Sequence, residues 1–217
     1  PTALLIGGNH RDEFEGPIAL VNLARTLDHA CMNGRVMILP GLNYPALCAG
    51  FRTSPIDGGN MNRSFPGRSD GTFTEKIADY VQRDLLPRAD LVADIHSGGK
   101  TLEFLPFAAY HRLDDKAQEA RCRAARDAFG APYALEMREI DSVGMLDTAA
   151  EEMGKTFVTT ELAGGGTTRP ETLRIAERGI NNLLIHMEIL DGEPEVSVAI
   201  NLAMPNDDCF TFAEYGG

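Results

Sequence analysis

Short apolar runs alternate along this chain with segments of helical period, and that alternation constrains the fold more than any other feature. Ala3-Leu4-Leu5-Ile6, Val36-Met37-Ile38-Leu39, Ala89-Asp90-Leu91-Val92-Ala93-Asp94-Ile95 and Thr156-Phe157-Val158-Thr159-Thr160 read as strands, with Tyr133 to Met137 and Val196 to Leu202 as further candidates. Ile18 to Cys31 carries Leu20, Leu23, Ala24 and Leu27 at helical spacing, and Pro17 suits its first turn. Thr74 to Leu86 predicts a helix with Ile77, Tyr80, Val81 and Leu85 on one face and Pro87 at its end. Asp115 to Phe129 predicts a charged amphipathic helix and Asp147 to Met153 a short one. Leu173 to Leu190 predicts a helix of about five turns, in which Gly179 marks close packing. Strands alternating with helices specify an α/β domain with a largely parallel sheet.

The stretch from Gly41 to Gly71 breaks the pattern. It holds Pro45, Pro55 and Pro66 and the run Asp57-Gly58-Gly59-Asn60-Met61-Asn62-Arg63-Ser64-Phe65-Pro66-Gly67. A structureless excursion of about 30 residues inside a compact domain is more often functional than ornamental. Its Asn, Gly and Arg content suits a fixed binding surface.

Such sheets gather their functional groups at the carboxyl ends of the strands. His10 and Glu13 occupy the turn after the first run, His96-Ser97-Gly98-Gly99 follows a middle run, and Glu161 ends a later one ahead of Gly164-Gly165-Gly166. An imidazole and a carboxylate in one tight turn can reach the same cation, and this ligand pair suits zinc. A catalytic zinc also needs a third protein ligand and an open position, which the rest of the chain must supply. Each residue alone has a bland structural explanation. Their coincidence at strand ends favours a metal site.

Composition narrows the partners. The 217 residues suit one large domain, or one domain with an appendage. A net charge of −12 with a pI near 4.8 argues against nucleic acid or an anionic membrane as the main partner. No run approaches the roughly 18 apolar residues of a membrane span. Cys31, Cys48, Cys122 and Cys209 lie far apart without a CxxC pair, which argues for reduced thiols and a cytoplasmic setting. Arginine outnumbers lysine 16 to 4, which suits forked recognition of carboxylates. The chain opens at Pro1 on the threshold of a strand, as expected of one that starts inside a longer protein.

Gly7-Gly8-Asn9-His10…Glu13, Asp57-Gly58-Gly59-Asn60-Met61-Asn62-Arg63…Phe65-Pro66-Gly67, Asp94-Ile95-His96-Ser97-Gly98-Gly99 and Thr160-Glu161 stand in one order along the chain. Together they resemble the succinylglutamate desuccinylase/aspartoacylase family. The resemblance implies a zinc carboxypeptidase-like fold, a mixed, largely parallel sheet flanked by helices. It also implies a catalytic α/β domain over residues 1–191 and a tail, 192–217, leading towards a missing carboxy-terminal β-rich domain. Carried over residue by residue, it makes His10, Glu13 and His96 the Zn2+ ligands and Glu161 the general base that takes the proton of the attacking water. Arg52 matches the arginine that polarises the scissile carbonyl, and Asn62 with Arg63 matches the pair that holds a substrate carboxylate. Asp94 is a candidate hydrogen-bond partner behind His96.

The implied function is a zinc-dependent amidohydrolase acting on a small N-acyl amino acid, with a homo-oligomer compatible. The spelling from Arg52 to Gly67 and of Ser97-Gly98-Gly99 is most similar to the branch that deacetylates N-acetyl-diaminobutyrate in ectoine breakdown. The expected substrate is therefore N2-acetyl-L-2,4-diaminobutyrate. Desuccinylase, aspartoacylase or carboxypeptidase activity and a non-catalytic zinc-binding module are the alternatives. The acid-rich stretch from Glu136 to Glu152 offers Asp141, Asp147 or a neighbour to a substrate ammonium, or is a solvated face.

Overall fold

The structure, a computed structural model, describes residues 1–10, 12–195, 198–207 and 209. Among them, strands β1 (Thr2–Gly7), β2 (Arg35–Leu39), β3 (Leu91–His96), β4 (Phe107–His111), β5 (Tyr133–Met137), β6 (Thr156–Glu161) and β7 (Ile200–Ala203) form one sheet. Their order is β2-β1-β3-β6-β4-β5-β7. All neighbours are parallel except β4 and β6, so β4, β5 and β7 run against the other strands. Helices α1 (Glu15–Thr26), α2 (Tyr44–Ala49), α3 (Phe73–Tyr80), α4 (Lys116–Phe129), α5 (Leu146–Glu152) and α6 (Pro170–His186) flank it. This is the mixed, largely parallel sheet flanked by helices that the sequence leads one to expect.

Side chains alternate across a strand, so each apolar run feeds two cores. Ala3, Leu5, Ala93 and Ile95 pack with Leu20 of α1, Phe129 of α4 and Leu183 of α6. On the other face, Leu4, Ile6, Val92 and Phe157 meet Met61, Leu86 and Leu146. Burying each such Leu, Ile or Phe is worth about 1.5–3 kcal/mol, and both faces of β1 draw on it. Along β3 the second face changes from Val92 to Asp94 and His96. Packing holds the foot of the strand and polar chemistry occupies its carboxyl end.

Two close approaches fix the helices. A Cβ on Gly16 would lie 2.5 Å from the Ile95 carbonyl oxygen, so only glycine lets the first turn of α1 rest against β3. That contact holds the Glu13 turn over His96. A Cβ on Gly179 would lie 2.4 Å from the Phe129 ring, which seats α6 against the end of α4.

Several elements differ from the periodicity. The helix expected to reach Cys31 ends at Thr26, because Leu27 is already extended. A separate 3-10 turn, His29–Cys31, follows under the Asp28 side chain, which accepts a hydrogen bond from Ala30 N at 2.9 Å. The helix expected over Thr74 to Leu86 is α-helical only through Tyr80. It loosens into a π turn at Val81–Leu85 and a 3-10 turn at Leu86–Arg88, where Pro87 has no N–H to continue the ladder. Tyr80 is 55% exposed and does not share the buried face. The stretch from Gly41 to Gly71 is not structureless, for it holds α2 and a 3-10 turn at Met61–Arg63, both too short to show a period. α6 stops at His186, short of Leu190. Of the strand expected from Val196 to Leu202, β7 begins at Ile200, and Val196 and Ser197 lie outside the described residues.

Candidate functional site

The β1–α1 turn and the end of β3 bring His10, Glu13 and His96 into one buried group, with ligand atoms within 4.8 Å of one another. Glu13 sits at its centre. Its Oε1 lies 2.9 Å from His10 Nδ1, and its Oε2 lies 2.7 Å from His96 Nδ1 and accepts from Ser97 N at 3.2 Å. The far nitrogens also have partners: His10 Nε2 faces Asn60 Oδ1 at 3.3 Å, and His96 Nε2 faces Asp94 Oδ2 at 2.7 Å. Asp94 is held in turn by Asn9 Nδ2 at 3.0 Å.

Every ring nitrogen of the two histidines faces an oxygen, so without an ion the rings meet Glu13 as N–H donors. Protonated at Nε2 alone, with Asn60 and Asp94 accepting, both rings would turn an Nδ1 lone pair towards a cation shared with Glu13. The set of two imidazole nitrogens and one carboxylate is one that zinc accepts, with an outer hydrogen bond on each histidine. The residues fit the ion. The charges show the same demand: burial would raise Glu13, yet His96 and His10 hold it well below the usual carboxylate range. Burial would lower His96, but Asp94 and Glu13 hold it well above the ordinary imidazole value.

Strand register supplies the next group. His96 pairs with Glu161 across β3 and β6, so the two side chains stand on the same face at the same level. Glu161 Oε2 is buried and has no hydrogen-bond partner among the described residues. Burial first, with Glu13 and Asp94 adding, pushes its pKa up to about 8 against the pull of His96 and Arg52.

The loop before α3 is pinned and carries the cationic groups. Asp57 accepts from Thr74 N at 2.7 Å and Thr74 Oγ1 at 2.8 Å. Burial would raise the Asp57 carboxyl, and these hydrogen bonds hold it well below its ordinary range. From this anchor the loop delivers Asn60 to His10. Arg52 donates from Nη1 to Glu13 Oε1 at 3.3 Å. Asn62 is buried, and its Oδ1 accepts from Leu146 N at 3.0 Å. Arg63 donates to the Asn62 carbonyl at 2.6 Å and to Asp141 Oδ2 at 2.7 Å.

All the site residues expected from sequence line one cavity of about 470 Å³. The His10–Glu13–His96 group, Arg52, Glu161, Arg63, Met145 and Asp147 share its wall with the apolar side chains of Phe107, Leu135, Met137 and Phe157. Sequence reasoning quoted Asn9 and Asn60 without giving either a role; their positions inside the histidine-bearing and Asn/Gly-rich runs were the available signal. The acid-rich stretch is neither all solvated nor all site, since Glu139 and Asp141 are exposed while Asp147 and Glu151 are buried.

The model of the succinylglutamate desuccinylase/aspartoacylase catalytic domain matches residues 1–187. An N-alpha-acetyl-L-2,4-diaminobutyric acid deacetylase from Halomonas elongata is 54% identical over the whole of this chain and 64% of its own length. The product-bound ectoine utilization protein EutE (DoeB) from Ruegeria pomeroyi superposes with a TM-score of 0.96 at 62% identity, over 99% of this chain and 65% of that one. A succinylglutamate desuccinylase from a Silicibacter species gives 0.95 at 56% identity, over 99% and 65%. The chain thus spans about two thirds of the length of these relatives.

Proposed function

This chain belongs to the succinylglutamate desuccinylase/aspartoacylase catalytic-domain family, and from that premise we propose that the protein is a zinc-dependent amidohydrolase that deacetylates N2-acetyl-L-2,4-diaminobutyrate. The observation that carries the reading is the buried His10–Glu13–His96 group with the Glu161 carboxylate beside it on the adjoining strand. The relative named as the deacetylase of this substrate gives the substrate its support.

His10, His96 and Glu13 would hold the zinc, with Asn60 and Asp94 fixing the histidine rings from behind. Bound zinc supplies Lewis acidity towards water and the amide carbonyl. Glu161 takes the proton of the attacking water and returns it to the leaving amine. Its buried, unpartnered Oε2 and raised pKa suit a base that must also act as an acid near neutral pH. Arg52, already within reach of Glu13, steadies the negative charge that develops on the carbonyl oxygen. Asn62 and Arg63 hold the substrate carboxylate. Arg63 Nη2 donates to the Asp141 carboxylate, a contact of the kind it would offer a substrate carboxylate. The cytoplasm is the proposed setting, in keeping with four free cysteines. No helix among the described residues is long and apolar enough to cross a membrane.

The test is a deacylation screen of the zinc-loaded full-length protein over N-acetylated diaminobutyrate, aspartate, ornithine and lysine and N-succinylglutamate. The expected result is a clear preference in kcat/KM for N2-acetyl-L-2,4-diaminobutyrate. Equal or better turnover of N-acetylaspartate or N-succinylglutamate would overturn the substrate while leaving the deacylase reading standing. No turnover of any amide would overturn both.

A further inference from the structure

Among the described residues, four acidic side chains line the cavity, and three are committed. Glu13 lies between the two histidines, Asp94 is held by His96 and Asn9, and Glu161 stands beside His96. The fourth is Asp147, at the start of α5. It is 8% exposed, and among the described residues its only hydrogen bonds come from Thr148 N and Thr148 Oγ1, both to Oδ1. A buried carboxylate without a cationic partner is costly and demands a compensating charge.

Among the described residues, the cationic groups named near it are spent elsewhere. His111, at the end of β4, lies 3.0 and 3.2 Å from the two carboxylate oxygens of Glu151 through Nδ1. Glu139 adds further negative charge beside the pair. Arg63, which lines the same cavity, is engaged with Asp141. Burial first, with Glu139 and Asp94 adding, raises the Asp147 pKa despite His111. Among the described residues Asp147 therefore lines the cavity with no cation hydrogen-bonded to it.

Resting on the deacetylase reading, we infer that Asp147 binds the side-chain ammonium of the substrate and sets the preference for a cationic over a neutral or anionic side chain. Asp147 lines the same cavity as the His10–Glu13–His96 group and Glu161, so a substrate held at that group shares its cavity with this carboxylate. The carboxylate of the same substrate goes to Arg63 and Asn62, so the two ends of the zwitterion meet groups of opposite sign. An acyl aspartate or glutamate would instead bring a carboxylate to Asp147, with repulsion and an unpaired charge on both sides.

The test compares N2-acetyl-L-2,4-diaminobutyrate with N-acetyl-L-norvaline, which replaces the ammonium by a methyl group. Both are assayed on the zinc-loaded full-length protein and on its Asp147→Asn and Asp147→Glu variants. The parent should favour the ammonium substrate. Asp147→Asn should lose a hundredfold or more in kcat/KM for it, chiefly through KM, while norvaline turnover changes less than about threefold. Asp147→Glu should recover part of the preference, since it keeps the charge. Equal losses on both substrates, or a preference that survives Asp147→Asn, would overturn the inference and leave the deacetylase reading intact. A parent that turns over both substrates equally well would also overturn the ammonium site alone. A parent inactive on both would overturn the reading and the inference together.

Discussion

At the scale of single residues, the proposed roles separate metal retention from turnover. His96→Ala should abolish stoichiometric zinc, whereas Glu161→Gln should keep it and lose about 10²–10⁴-fold in kcat. Metal analysis beside steady-state kinetics decides this, and activity of Glu161→Gln within tenfold of the parent would mean that another group is the base. The arginines should divide differently. Arg63→Ala should mainly raise KM and Arg52→Ala should mainly lower kcat. Matching kinetic profiles for the two variants would contradict that division. Much of this neighbourhood was legible because parallel strands put their carboxyl ends side by side: His10 and Glu13 follow β1, and His96 and Glu161 end β3 and β6. What spacing could not show was orientation. Which nitrogen of each histidine faces Glu13 depends on Asn60 and Asp94, and Asn60 reaches His10 from 50 residues away.

At the scale of elements, strands and long helices were readable and transitions were not. The period of α4 and the β-branched content of β6 reflect burial that the sequence itself records. The end of α1 and the loosening after Tyr80 depend on local backbone choices that leave the apolar pattern intact. Gly179 shows how packing can outweigh propensity. Alanine there would gain about 1 kcal/mol of helix preference, but its methyl group would enter the Phe129 ring at 2.4 Å. Overpacking a close-packed core costs about 1–3 kcal/mol, so Gly179→Ala should be less stable than the parent despite its better helix former. Urea denaturation measures this, and a higher midpoint in the variant would show that α6 can move off α4 without loss.

At the scale of the whole molecule, the buried pair of His111 and Glu151 couples stability to pH. Burial would lower His111, but Glu151, Asp147 and Glu139 outweigh it and carry its pKa from 6.5 to about 9. A histidine raised on folding stabilises fully below pH 6.5, and that stabilisation fades as pH rises through about 9. Glu151 and Asp147, raised by burial, act with the same sign. The stability difference between the parent and His111→Gln should therefore narrow by on the order of 1–3 kcal/mol over that range. Urea unfolding of both proteins at several pH values measures it, and a difference independent of pH would show that His111 is neutral in the fold. The strand order carries a consequence in time. β6 pairs with β3 and β4, yet it follows both, and β5, along the chain. Until residue 161 has emerged, one edge of β3 stays open, and β4 with β5 has no route into the sheet. The histidines and Glu13 can already meet through β1 and β3, while Glu161 arrives last. If His10, Glu13 and His96 bind a metal as proposed, a nascent chain should be able to hold it before Glu161 is in place.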